Sequence, residues 1–341
     1  MTRWAMTKHT KVAGAALVYF VFATYLYRPY YKGLHALQLR DVFVLSTCLA
    51  SLGCYVLSRR WVAGFIESFF AGALYGFGPY SLGLLKFHPT AGLLMAIIPW
   101  LFCPAAFGPK GKWRWLRVPL ALLPFAAVVL FFQVATHFRL YPIPIRLQLQ
   151  PVDLIGLMAP LVAAKRQMTL LGFYHIPISA LTMGFVMLLN ARRISIMIVF
   201  AVGTVLAFLG PLLNISPIIW LAFSMLCGSI VIGAGMQGLA CAGYADRKWI
   251  MLSAIVMGIL AIFALLLATK YFQIIFGLAA GYARLFLESG MIYLLGAVMM
   301  GILFFIVRAR LRLKLLRQLL LGSTIAMDIF LHAAFVIDKI L

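Results

Sequence analysis

The chain is a succession of apolar runs, each about as long as a bilayer is thick, separated by short basic loops. A helix needs roughly 20 mostly apolar residues to cross a hydrocarbon core of about 30 Å, and some cross with about 17. Eleven runs fit: 12–27, 42–58, 61–80, 90–108, 118–136, 168–190, 194–212, 216–243, 249–269, 290–307 and 319–337. Lipid satisfies no backbone N–H or C=O, so a crossing segment must bond internally, as a helix does. The expected fold is therefore all-α: a polytopic transmembrane helix bundle of about 11 spans, within a range of 10–13. A soluble globule is excluded, because 65% of the residues are apolar and 11% are charged, whereas ordinary domains carry about 25% charged residues.

Two further stretches are too short or too polar to assign as spans. Residues 151–164 begin with Pro151 and Asp153 and contain Pro160. Fourteen residues rise only about 21 Å at 1.5 Å each, which predicts a short interfacial or re-entrant helix. Residues 271–288 carry Arg284 and Glu288 one helical turn apart. The natural division of the chain is an N-terminal half (1–137, about five spans), a proline-bearing connector (138–167) and a C-terminal half (168–341, about six spans). The start, with Val12 opening the first apolar run, has no small-residue cleavage site and reads as an uncleaved span.

The net charge of +22 comes from 29 basic and 7 acidic residues. The basic residues are spread in small groups between spans, as in loops that face anionic headgroups, rather than gathered into one nucleic-acid patch. With the N-terminus cytoplasmic, 18 of the 29 fall on the inner side, including the dense group at 308–317. The expected setting is a bacterial plasma (inner) membrane, with lipid as the surrounding partner and no nucleic acid. The five cysteines all fall within apolar runs without a C-x-x-C pair, so they read as packed, reduced thiols.

Residues 227–248 contain a literal G-x-G-x-x-G at Gly233, Gly235 and Gly238. A dinucleotide fold needs a strand before the glycines and an acidic residue about 20 positions beyond them to hold the ribose. Here the apolar run reaches back to Pro217, and the following span carries no acid. No nucleotide is expected at this motif. On a helix, Gly228, Gly235, Gly238 and Ala242 share one face, a small-residue stripe that lets another helix approach closely.

Ionisable groups inside a membrane cost about 2.5–3.5 kcal/mol each at mid-span, so each is a candidate site. Asp41, Asp246 and Asp338 stand at span ends beside basic residues, where solvation accounts for them. Glu67 lies about one-third into its run. Asp328 is mid-span with His332 four residues on, so both point to one helix face, where they could relay protons, bind a cation or simply bond to each other. His175 stands two residues before Pro177, which would free a backbone carbonyl and break the helix beside it. The ion- or substrate-pathway candidates are thus Glu67, His175, Asp328 and His332. No second pair completes a metal site, and a bis-histidine haem would require His175 and His332 to face each other, so neither metal nor cofactor is expected.

Three functions fit. A transporter would gather broken helices and mid-membrane charges around one cavity. A membrane-embedded enzyme acting on a lipid-linked substrate would cluster its polar groups at one face, with the 86–89 turn or Arg139, Lys165 and Arg166 as candidates. A scaffold would bind other membrane subunits. No catalytic motif is present, and the transporter is the reading favoured by the scattered intramembrane charges and prolines.

Overall fold

The computed structural model describes residues 2–30, 39–87, 89–108, 111–138, 178–191, 193–209, 215–275, 281–311 and 313–340. Among these residues there is no β-strand, and the α-helices run α1 (Thr2–Tyr27), α2 (Leu39–Ser58), α3 (Phe65–Gly76), α4 (Pro79–Phe87), α5 (Pro89–Phe107), α6 (Arg117–His137), α7 (Ile178–Asn190), α8 (Ile194–Phe208), α9 (Pro217–Ala240), α10 (Arg247–Leu267), α11 (Lys270–Ile275), α12 (Gly281–Arg308) and α13 (Lys314–Ile340). Seven of them are long and apolar enough to cross a bilayer: α1, α2, α6, α9, α10, α12 and α13. Shorter apolar helices occupy much of α5, α7 and α8. The connector residues 139–167, the short segment 151–164 and His175 lie outside the described residues.

Helix α9 is the hub. It is apolar on every side, and a helix of that kind has no polar face to offer solvent. An 18-residue stretch of it is buried throughout, against 22% of the matching stretch in α6. It packs on α3, α7, α8 and α13. The outer helices turn large apolar side chains outward, such as Leu122, Phe263 and Phe305, each about three-fifths exposed, which only a lipid environment would accommodate in such number.

Lipid is as apolar as leucine, so contact between these helices depends on close packing by small residues rather than on expulsion of water. Gly235 and Gly184 face each other's helices: a Cβ on Gly235 would meet the Ala180 carbonyl, and one on Gly184 the Val231 carbonyl. Gly233 faces α3, against Ala71 Cβ and Glu67 O, and Gly238 faces the Met187 sulfur of α7. Gly228 is buried on the same helix. Ala242 is not on it: α9 is capped at Cys241, whose N–H donates to Gln237 O, and Ala242 follows in the turn. The helix runs unbroken through residues 233–238, with neither a strand before the glycines nor a turn among them.

The run 61–80 forms no single helix. Trp61–Gly64 are non-helical, α3 stops at Gly76, and α4 restarts at Pro79. Pro79 lacks an N–H and disfavours the α conformation at the residue before it, which is Gly78. The free Tyr75 carbonyl accepts from Ser81 Oγ, and Tyr80 OH donates to Ile218 O of α9 at 2.7 Å. The stretch 271–288 also resolves differently from a separate segment. Residues 271–275 belong to the short α11 and residues 281–288 to the first turns of α12, a 28-residue helix. Arg284 and Glu288 pair at 2.8 Å on its exposed side. Cys54 and Cys227 are buried, and Cys48 and Cys103 half-buried. Cys241, however, is exposed, because it stands past the end of α9.

Several of the described basic loops gather at one end of the bundle. Arg193 donates to the Arg60 and Trp61 carbonyls, and Gln237 Oε1 accepts from Ala63 N at 2.8 Å. Arg247 and Arg310 both lie over the Tyr244 ring, at 3.8 and 4.9 Å from its centroid. The ends of α2, α7, α9 and α12 and the starts of α8 and α10 are thereby tied together.

Candidate functional site

Helix α13 carries Gln318, Asp328 and His332, and all three side chains face inward. Gln318 and His332 stand fourteen residues apart, so the helical period brings them onto one stripe with Ile325 between them. Helix α13 as a whole packs against α3, α4, α9 and α12, and more lightly against α1.

At the basic end, Gln318 Nε2 donates to Glu67 Oε1 at 2.6 Å. Glu67 is 1% exposed and sits in the first turn of α3, folded back on Gly64, where a carboxyl is favoured by the positive end of the helix. Its Oε2 is buried with no hydrogen-bond partner among the described residues. Beside it, Arg317 is buried, donating from Nη1 to Ala242 O at 2.6 Å and from Nη2 to Leu311 O at 2.8 Å. Arg317 thus closes the C-terminal turn of α9 and the α12–α13 loop with one guanidinium. Removing Gln318's amide tests how much Glu67 depends on it. Gln318→Leu should lower the melting temperature by an amount equivalent to about 1–3 kcal/mol, since hydrogen bonds to carboxyl groups carry about that much. Glu67→Leu/Gln318→Leu together should recover most of the loss. A double variant as unstable as the sum of the two single variants would mean that the contact carries no energy.

Deeper along the helix, His332 Nδ1 lies 2.5 Å from Asp328 Oδ1 and 2.9 Å from Asp328 O. A carbonyl can only accept, so Nδ1 carries the proton and Nε2 is the nitrogen that gains or loses one. Protonation there would create an imidazolium held directly against the carboxylate. Both side chains are buried, at 3% and 2% exposure. Tyr293 of α12 is buried within electrostatic range of Asp328. One turn earlier on α12, Ser289 Oγ is buried with no hydrogen-bond partner among the described residues. The helix break lies at similar depth: Phe22 of α1 stands 4.7 Å from the Phe77 ring and 6.3 Å from the Phe330 ring.

Asp328 and His332 are therefore brought together, and Glu67 is joined to the same helix. Glu67 and Asp328 do not share one pocket, because ten residues of α13 separate Gln318 from Asp328, about 15 Å along the axis. Among the described residues no three His, Cys, Asp or Glu side chains converge as a metal site would require. Sequence reasoning missed Gln318, Arg317, Tyr293 and Ser289. For Gln318 a signal existed in its two-heptad spacing from His332, while the other three become visible only through tertiary contacts.

No family model, no curated protein and no solved structure matches this chain. The apolar helices are those of a membrane protein.

Proposed function

We propose that this protein is a permease-type transporter whose coupling-ion or solute path follows the inner face of α13. The observation that carries this reading is the Asp328–His332 pair: an ionisable couple buried on a long apolar helix, beside a helix broken at Phe77–Gly78. Buried charges of this kind mark ion and proton pathways in membrane proteins, and discontinuous helices supply backbone groups at binding sites. Counting α3–α4 as one broken crossing and α5, α7 and α8 as short ones gives the eleven passes expected from the sequence. The basic end then faces the cytoplasm of a bacterial plasma membrane, as the positive-inside bias favours.

Thiol accessibility tests this reading without knowledge of the solute. In a cysteine-free background, Ser289→Cys should react with a membrane-impermeant maleimide added to either face of sealed vesicles, as alternating access requires. Labelling from one face alone would favour an enzyme with a one-sided active site. Labelling from neither face would leave the pair as internal packing.

A further inference from the structure

A second feature plays no part in the α13 path: a cleft of about 830 Å³ at the basic end, between the α5–α6 pair and the α8–α9 pair. That volume falls in the range of ligand sites, about 300–1,000 Å³. Three guanidiniums, Arg60, Arg117 and Arg193, stand on its rim, from the end of α2 and the starts of α6 and α8. Among the described residues no acid and no histidine lines it. Below the arginines the walls are apolar, with Leu57, Phe102, Phe125 and Leu226 among them. Phe125 lies eight residues inward from Arg117, a depth of about 12 Å along α6.

The cleft also opens sideways. Its lining residues Val118, Leu122, Ile198 and Val202 are 67%, 59%, 57% and 40% exposed on the surface that the bundle turns to lipid. A water-soluble anion would gain nothing from these walls, while a neutral lipid would leave Arg60 and Arg193 facing the cleft without a counter-charge among its described lining residues. Arginine's planar fork of donors suits phosphate oxygens. Arg193 spends one nitrogen on the Arg60 and Trp61 carbonyls, at 3.4 and 3.2 Å, and Arg117 spends one on Gly108 O at 3.5 Å, contacts that hold the groups at the rim. Basic pockets between membrane helices on the positively charged side bind anionic headgroups.

We infer that this cleft is a binding site for an anionic phospholipid, its phosphate on Arg60, Arg117 and Arg193 and an acyl chain against Phe102, Phe125 and Leu226. This assignment stands independently of the transport reading.

The test is lipid retention by the purified full-length protein in nanodiscs of equimolar phosphatidylglycerol and phosphatidylcholine, read by native mass spectrometry. Wild type should release bound with phosphatidylglycerol in preference to phosphatidylcholine. Arg60→Gln/Arg117→Gln should cut that preference about 25-fold, at about fivefold per guanidinium. Ala121→Trp keeps every charge but fills the apolar wall, and it should lose the retained lipid altogether. Equal retention of the two lipids by wild type would overturn the assignment. So would undiminished retention by Ala121→Trp, which would mean a headgroup contact without a chain site, and so would displacement of the lipid by millimolar inorganic phosphate, which would mean a free-anion site. Should the double arginine variant fail to fold, the wild-type preference and the tryptophan variant still decide the matter.

Discussion

Asp328→Asn should abolish solute-dependent proton flux in proteoliposomes while the protein still inserts, folds and elutes as wild type. The amide has the size of the carboxyl, and its oxygen can accept from His332 Nδ1–H as Asp328 Oδ1 does at 2.5 Å. What the substitution removes is the charge. A neutral amide leaves His332 without the carboxylate beside it, so the pair no longer offers two groups between which a proton can pass, in a setting where both side chains are nearly inaccessible. Loss of a positioned proton carrier typically costs about 10²–10⁴-fold in rate. If the pair serves only to satisfy itself within α13, the same variant should work normally, since the hydrogen bond survives and the about 2.5–3.5 kcal/mol insertion cost of a mid-span charge is relieved. Unchanged flux in the variant would return Asp328 and His332 to the packing of the helix.

How much of this was legible beforehand follows from the range over which each signal acts. The membrane class and the long helices rest on local hydropathy. Pro217–Ala240 reads as a span because every backbone group in lipid must bond within its own helix. The Asp328–His332 contact is also local, since residues four apart on a helix are neighbours whatever surrounds them. Glu67 was visible as an intramembrane acid, but its partner Gln318 lies 251 residues away, and no periodicity reports such a pairing. The break in 61–80 had its cause in plain view at Gly76, Gly78 and Pro79. A hydropathy window averages over those residues, however, and their neighbours are apolar enough to hide the interruption. Conversely, the small-residue stripe was extended too far. It counted Ala242 on a helix that ends at Ala240, because helix ends depend on capping and on Arg317 reaching the Ala242 carbonyl from α13. The arginine cleft assembles Arg60, Arg117 and Arg193 from three separate loops, each of which by itself looks like ordinary basic flanking sequence.

Gly235→Leu should prevent α7 from seating on α9, leaving a protein that inserts but does not elute as one folded species. At this position a Cβ alone would overlap the Ala180 carbonyl carbon and oxygen, and backbone cannot swing aside as a flexible side chain can. Gly184 makes the reciprocal approach to the Val231 carbonyl, so α7 is held against α9 from both directions and cannot shift along it to relieve the clash. Overpacking a tight contact by a few methylenes costs about 1–3 kcal/mol and sometimes more, against a total stability of about 5–15 kcal/mol. Leucine adds four carbons where there is room for none, and in lipid no hydrophobic driving force offsets the separation of the helices. Gly238→Leu provides the comparison: its nearest neighbour is the end of the Met187 side chain, which can rotate away, so its loss should be the smaller of the two. Melting of both variants by scanning fluorimetry in detergent would measure the difference. Equal tolerance of leucine at positions 235 and 238 would mean that the α7–α9 contact is looser than the glycine pair implies. The order expected here, 235 far worse than 238, follows from which atoms stand opposite each glycine. A nucleotide-binding turn would predict comparable intolerance at both, because there each glycine is required by the backbone and the bound phosphate.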